Sequence, residues 1–372
     1  MAENFEGGEV IVALNSTVEQ FENSSIFAGI DPESVEVIYV NNDAQVPAMV
    51  LLHLRDSDPQ AVNDAIAALH QCDYCILAEP NYIAEFHLTP NDPLFRSLYG
   101  MQVINAPEGW NMVTGNPNTL VGVLDSGVDA THPDLRQNLR IPADPRFSDF
   151  NDFTGHGTHV AGTIGAIGNN GIGVVGTCWR VGMFIFKVGN NNISMASAIT
   201  AINYARLNNI PIINCSWGSR QYSATLLIAL QQYRGLIIAS AGNDGTNNDT
   251  FPMYPASHRL PNMIAVAATG PGNTIAPFSN FGVRSVQIAA PGEDVLSTDI
   301  GNRYTRLSGT SMAAPHVAGA AALLMSLRPN LTTTQVRNLI LSTATRLPST
   351  AGRVSTGILN IAEMVRAAVG LV

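Results

Sequence analysis

Charged residues are scarce in this sequence, and their scarcity argues against a disordered chain. Only 13% of the 372 residues are Asp, Glu, Lys or Arg, whereas 46% are hydrophobic. Disordered chains combine low hydrophobicity with high charge, so this composition predicts a globular protein with a large buried core. The length is that of about two domains.

Long hydrophobic runs, basic clusters and phosphate-binding loops are also missing. The longest apolar runs, such as residues 318–325, are far shorter than the roughly 20 residues that cross a bilayer, so no membrane partner is expected. Without a basic patch or a phosphate loop, no nucleic-acid partner is expected either. The first nine residues have neither a basic region nor an apolar core, and we expect no signal peptide in them.

Cysteine is rare, with four residues. Cys72 and Cys75 form a C-x-x-C pair, but no second pair lies at zinc-ligand spacing and no thioredoxin-like pattern surrounds them. We therefore interpret them as half-buried, apolar-like residues at the start of a strand. Cys178 and Cys215 lie beside predicted strands of the later domain, and the sequence does not decide whether they are bonded.

The net charge of −10 is unevenly distributed. Residues 1–90 contain 15 acidic residues and one basic residue, Arg55, so they carry −14, whereas residues 91–372 carry +4. Opposite net charges favour attraction between two bodies. A merely soluble, acidic N-terminal domain is the alternative that charge alone leaves open.

The hydrophobic pattern predicts a small ferredoxin-like α+β domain at the N-terminus, with the element order βαββαβ. Strands are expected at 8–14, 35–40, 48–54 and 74–78, and helices at 18–27 and 59–70. The second helix has a strong start, because Asp58 can cap it and Pro59 occupies its first position. Residues 79–82 then lead into residues 84–90, an extended connector that ends in proline.

From residue 91 onward, short apolar strands alternate with helices. Strands are expected at 120–124, 183–188, 210–215, 236–240 and 263–267, and helices near 158–166, 195–207, 224–233 and 311–327. This alternation predicts an α/β domain with a doubly wound, mostly parallel sheet that is covered on both faces.

Three short motifs carry the chemistry. Asp125 ends a strand in Val-Gly-Val-Leu-Asp-Ser-Gly, His156 lies in Gly-His-Gly-Thr-His-Val-Ala-Gly, and Ser311 lies in Gly-Thr-Ser-Met-Ala-Ala-Pro-His. Alone, such an aspartate is typical of a helix cap, and a lone histidine is more often structural than catalytic. Together they supply an acid that orients a base, a base that accepts a proton, and a hydroxyl that attacks a carbonyl.

These motifs, in the order Asp, His, Ser, resemble those of the subtilisin-like serine peptidases (subtilases, peptidase S8 family). The segments Asn91-Asp-Pro-Leu-Phe and Ile104-Asn-Ala-Pro are similar to the start of a mature subtilase domain. The βαββαβ order and Glu79-Pro-Asn-Tyr are similar to its inhibitory pro-domain. The resemblance thus covers essentially the whole chain. It implies a pro-domain at 1–87 that acts as intramolecular chaperone and inhibitor, a peptidase domain at 88–372, and autoprocessing near residue 87.

The resemblance also implies a role for each residue of the site. Asp125 orients His156, which is the general base and then the general acid, and Ser311 is the acylated nucleophile. Asn243 and the amide of Ser311 form the oxyanion hole; that amide belongs to a helix N-terminus, which favours negative charge. The expected enzyme is a monomeric endopeptidase that acts on proteins and peptides, with its own pro-domain as inhibitor.

The same resemblance places an S1 pocket. Its wall residues are Ser216, Trp217, Gly218, Ala241 and Gly242, and Met253 lies near its base. These walls carry no acid, so basic P1 residues are not expected, and the flexible methionine favours medium apolar or neutral P1 side chains. Residues 189–194 form an Asn-rich connection that is shorter than the usual family loop at this place. The sequence therefore does not predict the S2–S4 preferences.

Calcium is the cofactor that the resemblance implies, in a structural role. The implied ligands are the carboxylates of Asp92 and Asp134, the side chain of Asn170, and the backbone carbonyls of Ile167, Ile172 and Val174. Such oxygen ligands suit a hard cation. The alternative is a glycine-rich surface turn held by asparagine side chains.

Export is expected, because a broad endopeptidase is hazardous in the cytosol and a full pro-domain is unusual for intracellular subtilisins. A leader would then lie outside the given sequence; a cytoplasmic protein is the alternative. A catalytically idle homologue that serves as a binding module is the alternative function, and a serine used mainly as an esterase is another. The Gly-His-Gly-Thr-His motif argues against the sedolisin-like peptidases.

Overall fold

The computed structural model describes residues 5–40, 47–83 and 88–370, and the chain divides into two compact units, Met1–Phe86 and His87–Val372. The first unit contains an antiparallel sheet in the order β2-β3-β1-β4. Its elements are β1 (Phe5–Leu14), α1 (Val18–Glu22), α2 (Ser25–Ile30), β2 (Ser34–Tyr39), β3 (Ala48–His53), α3 (Pro59–Leu69) and β4 (Cys75–Tyr82). The predicted cleavage site lies near residue 87, and residues 84–87 are outside the described part of the chain.

The core of the first unit lies between the sheet and its helices. Alternate residues of β1 are buried, which is the pattern of a strand with one covered face. They pack with Val62 and Leu69 of α3. As the sequence predicts, the Asp58 side chain caps α3 by accepting a hydrogen bond from Gln60 N (2.8 Å).

Two details of the first unit correct the sequence analysis. The single helix predicted at 18–27 is wrong, because α1 ends at Glu22 and the Ser24 side chain caps a second helix by accepting from Phe27 N. Cys75 is the first residue of β4, but Cys72 is buried and lies in the turn before it.

The second unit is built on a seven-stranded, wholly parallel sheet in the order β11-β10-β9-β8-β5-β7-β6. Its strands are β5 (Gly115–Asp125), β6 (Leu139–Arg140), β7 (Arg180–Lys187), β8 (Ile212–Cys215), β9 (Leu236–Ser240), β10 (Met263–Thr269) and β11 (Ile288–Pro291), with a separate hairpin of β12 (Val295–Asp299) and β13 (Arg303–Leu307). Its helices are α4 (Tyr99–Val103), α5 (Ala106–Trp110), α6 (His156–Gly165), α7 (Met195–Leu207), α8 (Ala224–Gln232), α9 (Thr310–Leu327), α10 (Thr333–Ser342) and α11 (Ile361–Val369).

Both faces of this sheet are buried, which confirms the predicted α/β fold class. Every residue of β8, β9 and β10 is buried. Neighbouring residues face opposite sides: Ile212 joins a core with α6 and α9, whereas Ile213 joins a core with α7 and α8. Continuous apolar strands are therefore required here.

Helix α9 is long and apolar enough to cross a membrane, but 83% of it is buried inside the protein. It packs against the sheet, and α6 packs closely on it at Gly319. A side chain at Gly319 would place its Cβ 2.6 Å from Thr177 Cβ and 2.9 Å from the carbonyl oxygen of Ile164. It is therefore the central core helix of this unit.

The topology directs three polar segments to one edge of the sheet. From β5 the chain continues to β7 on one side and later to β8 and β9 on the other, so β5 lies at the switch of strand order. Ligand sites in open α/β sheets form at the carboxyl ends of strands near such a switch. Asp125 ends β5, Ser216 follows β8, and Asn243 follows β9 by three residues.

Candidate active site

Asp125 and His156 form the centre of the site. The Asp125 side chain is almost fully buried, and its Oδ1 accepts hydrogen bonds from His156 Nδ1 (2.7 Å) and Ser126 N (2.8 Å). The His156 side chain keeps 36% of its surface exposed. The negative charge of Asp125 raises the pKa of His156 above its usual value, although burial opposes the shift.

The backbone before His156 requires glycine. Gly155 has φ of 81° and caps α6, so the imidazole of the next residue emerges at the start of the helix. A Cβ at this position would collide with the Asp299 carboxylate. The left-handed backbone and this contact together explain the glycine.

The second histidine of the motif has a different environment. His159 is fully buried, and its Nε2 lies 2.9 Å from the Val295 carbonyl oxygen. Burial lowers its pKa to about 4, so it stays neutral inside the core. The partly exposed His156, not His159, is therefore able to exchange protons with a bound molecule.

Ser311 is the second residue of α9, at the end that faces the sheet edge. Its hydroxyl donates to the Ser216 carbonyl (2.8 Å), and the Ser216 hydroxyl donates back to the Ser311 carbonyl (2.9 Å). This reciprocal pair fixes the start of α9 to the end of β8. Within the described parts of the chain no hydrogen bond joins Ser311 to His156, so proton transfer between them requires the Ser311 side chain to rotate about χ1. Catalytic hydrogen bonds are often unmade before substrate binds.

Asn243 is oriented by the residue before the serine. Its Oδ1 accepts hydrogen bonds from both the backbone amide (2.8 Å) and the hydroxyl (2.9 Å) of Thr310. The amide nitrogen Nδ2 is thereby left free to donate. A Cβ placed on Gly309 would lie 3.2 Å from Asn243 Nδ2 and 3.7 Å from Ser311 N, so both donors border the same space beside this glycine.

Asn243 Nδ2 lies where it can donate to the same oxygen as the Ser311 amide. We expect Asn243→Ala to lower kcat by on the order of 10²–10³ with little change in KM, because the donor would act mainly on the oxyanion of the transition state. Thr310→Val should lower kcat less, since it removes one of the two bonds to Asn243 Oδ1, and Thr310→Ser should restore it. An unchanged kcat in Asn243→Ala would remove Asn243 from the oxyanion hole.

Asp152 is a buried carboxylate that the sequence analysis missed. It accepts hydrogen bonds from the segments that follow Asp125 and surround His156. The donors are the hydroxyl of Ser126, the amides and hydroxyls of Thr154 and Thr158, and the amide of Gly155. Its charge adds to that of Asp125 in raising the pKa of His156. The only signal in the sequence is an aspartate four residues before His156.

A cleft of about 270 Å³ opens beside the Asp125–His156 pair. Its lining residues are Asp125, Thr154, His156, Asn190, Asn191, Ile193, Ser216 and Trp217. The short Asn-rich connection thus forms one wall. A polar and partly apolar groove of this kind can hold an extended substrate next to the histidine.

The residues predicted for the S1 pocket are only partly brought together. The Met253 side chain lies between two glycines: a Cβ on Gly218 would be 3.0 Å from its Cγ, and a Cβ on Gly242 would be 3.1 Å from its Cε. Ala241, by contrast, is fully buried and packs with Ala267 and Val286 in the core. Its side chain therefore does not line a pocket.

Two of the predicted calcium ligands, Asp92 and Asp134, are buried carboxylates. Asp134 Oδ1 accepts from Asn170 Nδ2 (2.6 Å), and its Oδ2 accepts from Val174 N (2.9 Å). Burial raises the pKa of Asp134 to about 6, and the nearby charge of Asp92 contributes to this rise. Asp92 Oδ1 is buried and has no hydrogen-bond partner among the described residues.

This donor set fits a cation in charge but needs one adjustment. Asn170 presents its nitrogen to Asp134 and its oxygen to Ile172 N (2.9 Å), so the amide must turn to offer oxygen to a cation. The amide of Ile167 donates to the Asp134 carbonyl (2.8 Å), which holds the loop beside the aspartate. Within the described ranges, no three His, Cys, Asp or Glu side chains cluster as a metal site, so any calcium here would depend on amide and carbonyl oxygens.

The four cysteines are free thiols. Cys178 and Cys215 belong to different core clusters on opposite faces of the parallel sheet, so the structure gives no support for a bond between them.

Comparison with known proteins identifies the family. A model of the subtilase family matches residues 116–358. An alkaline protease of Alkalihalobacillus alcalophilus is 36% identical over 350 residues, covering 91% of this chain and 85% of that protein. Subtilisin Savinase of Lederbergia lenta is 40% identical over 262 residues, covering 68% and 93%. A Pseudoalteromonas arctica protease of known structure superposes with a TM-score of 0.66 at 28% identity, covering 76% of this chain and 100% of that one.

Other relatives are much longer. Subtilisin-like protease 2 of Plasmodium falciparum is 37% identical over 252 residues, which are 62% of this chain but only 19% of that protein. The family model nevertheless matches well over half of the present chain, and the site geometry lies within the matched region. The chain therefore belongs to the subtilase family.

Proposed function

We propose that the chain is a serine endopeptidase made as a zymogen, and that it hydrolyses peptide bonds through an acyl-enzyme on Ser311. The observation that carries this proposal is the 2.7 Å bond between His156 Nδ1 and the buried Asp125 carboxylate. Because a carboxylate only accepts, the imidazole must carry its proton on Nδ1, which leaves Nε2 free to act as a base.

In the first half of the reaction, the Ser311 hydroxyl turns away from the Ser216 carbonyl, gives its proton to His156 Nε2 and attacks the scissile carbonyl carbon. Asn243 Nδ2 and the Ser311 amide donate to the oxyanion that forms. The imidazolium then gives the proton to the leaving amine. In the second half, water attacks the ester while His156 takes its proton and finally returns one to Ser311.

The specificity that this site supports is broad. Met253 fills the space between Gly218 and Gly242 and has three flexible side-chain bonds, so it shortens the pocket yet can adapt to its occupant. We infer a preference for medium apolar or neutral P1 side chains. Strong cleavage after Phe or Tyr but not after Leu, in a library that varies P1, would contradict this preference.

We further propose that residues 1–87 are a pro-domain that assists folding and inhibits the enzyme until it is cleaved. Its net charge of −14, opposite in sign to that of the remainder, supports electrostatic pairing. Ile38, Ile76 and Leu77 are each at least half exposed on its strands, and such apolar side chains favour a covering partner surface. The processed enzyme would act as an exported monomer.

A fluorophosphonate tests the proposed nucleophile, because it phosphonylates only an activated serine hydroxyl. The expected result is one adduct, mapped to the peptide that contains Ser311 and absent in His156→Ala. An adduct on another serine, or none on processed protein, would contradict the proposal and favour a binding module that has lost activity.

Calcium is proposed as a structural cofactor held by Asp92, Asp134 and the loop 167–174; when bound, it would neutralise the two buried carboxylates. We expect a chelator to lower the melting temperature of the Ser311→Ala protein by roughly 5–10 °C, the effect of removing a ligand present at about 100 times its Kd. Added calcium should restore it. In an Asp134→Asn control the melting temperature should no longer respond to calcium. A melting temperature that the chelator leaves unmoved would exclude the site.

A further inference from the structure

The C-x-x-C pair of the first unit lies in a rigid turn between α3 and β4. Cys75 N donates to the Cys72 carbonyl (3.1 Å), which closes a β-turn with Asp73 and Tyr74 at its centre. Two bonds from Asn15 hold this turn: its amide donates to the Tyr74 carbonyl (3.1 Å), and its side chain donates to the Asp73 carbonyl (3.0 Å). The positions of both cysteines are therefore fixed by backbone contacts.

The geometry of this turn suits a covalent bond between the two sulfurs. Residues i and i+3 of a β-turn have Cα atoms less than about 7 Å apart, and disulfides require a separation of roughly 4.4–6.8 Å. Cys72 is buried in the core of the unit, and Cys75 packs against the same core, so neither side chain has to enter from solvent.

We propose that Cys72 and Cys75 are a modification site that reacts with an external disulfide as oxidant and closes to an intramolecular disulfide. A thiolate of the pair attacks an external disulfide and displaces one of its halves as a thiolate. The second cysteine sulfur then attacks the mixed disulfide and displaces the other half. The two cysteine protons pass to the released thiolates, and the external disulfide gains the two electrons that the pair loses.

Closure would fasten the end of α3 to the start of β4. A disulfide stabilises a fold chiefly by restricting the unfolded chain, and the effect is smallest for short loops such as this one. Burial raises the pKa of the Cys75 thiol, and the neighbouring Cys72 raises it further. Because exchange needs a thiolate, closure should be faster in alkaline solution. Given the proposed pro-domain role, oxidation would lengthen the life of the inhibitor.

Mass spectrometry of the full-length Ser311→Ala protein tests the proposal independently of catalysis. After incubation with oxidised glutathione at alkaline pH, the expected product is lighter by two hydrogens. Alkylation after denaturation should then label Cys178 and Cys215 only. Free thiols at positions 72 and 75, a stable glutathione adduct on either, or a bond to another cysteine would each overturn the proposal. None of these outcomes would affect the proposed peptidase activity.

Hydrogen exchange provides the second readout. Oxidation should slow exchange of the slowest amides in residues 59–82 by about tenfold and leave the parallel sheet unchanged. In a Cys75→Ser control, oxidised glutathione should not cause the loss of two hydrogens. It should also leave hydrogen exchange in this segment unchanged. Equal exchange in oxidised and reduced Ser311→Ala protein would show that closure does not stabilise the unit.

Discussion

Ser311→Ala is expected to lower kcat for a peptide substrate by on the order of 10⁶, the loss that follows removal of the nucleophile from a related triad. The variant keeps the oxyanion donors and the cleft but has no oxygen that can attack the carbonyl. Residual hydrolysis would come from water held near His156. Steady-state kinetics on processed enzyme, with the pro-domain supplied separately to assist folding of the variant, measures the effect.

A serine elsewhere in the same helix provides the control. Ser326 lies near the other end of α9, where its hydroxyl donates to the Ala322 carbonyl (2.7 Å). Ser326→Ala should retain kcat. If Ser311→Ala kept more than a hundredth of the parent kcat, Ser311 would not be the nucleophile.

Asp125→Asn is expected to lower kcat by on the order of 10⁴, because an amide can donate to His156 Nδ1 and stabilise the wrong tautomer. The remaining activity should also depend on pH differently. The carboxylate raises the pKa of His156, so its removal lowers that pKa. Since the base works only when neutral, the acidic limb of the kcat/KM profile should move to lower pH.

The matched control for this variant is an aspartate outside the cleft that also has a basic partner. Asp144 is partly buried and pairs with the exposed Arg146, and it is not among the residues that line the cleft. Asp144→Asn should leave both kcat and the pH profile unchanged. A limb that stayed in place or moved to higher pH in Asp125→Asn would show that Asp125 does not set the pKa of His156.

The fold class could be predicted from the sequence because parallel strands buried on both faces are continuous apolar runs. Residues 236–240 and 263–267 are such runs, and β9 and β10 lie there. Strands that depend on tertiary pairing were missed: β6 has two residues, and the hairpin β12–β13 pairs away from the main sheet. The prediction of a single helix at 18–27 overlooked a local cap, because the Ser24 side chain caps the start of a second helix.

The chemical residues of the site were predictable because each lies in a short motif with glycine or a helix start beside it. Their roles stay predictions that the experiments above address. The supporting contacts were not predictable, because they join residues distant in sequence. Asp299 meets Gly155 only after β12 folds onto α6, and Asn243 meets Thr310 only after β9 and α9 pack. The burial of the Ala241 side chain was not predictable either, because it depends on neighbouring strands.

Autoprocessing requires the triad to cut the N-terminal segment of its own chain, and intact masses measure this cut. The parent and the Ser311→Ala variant are both purified with inhibitors of other proteases. Their intact masses should then show a different number of chains in each protein. The parent is expected to give two fragments that meet near residue 87, and Ser311→Ala a single chain of 372 residues. A parent that stays intact, or a Ser311→Ala protein cut at the same bond, would contradict autoprocessing by Ser311.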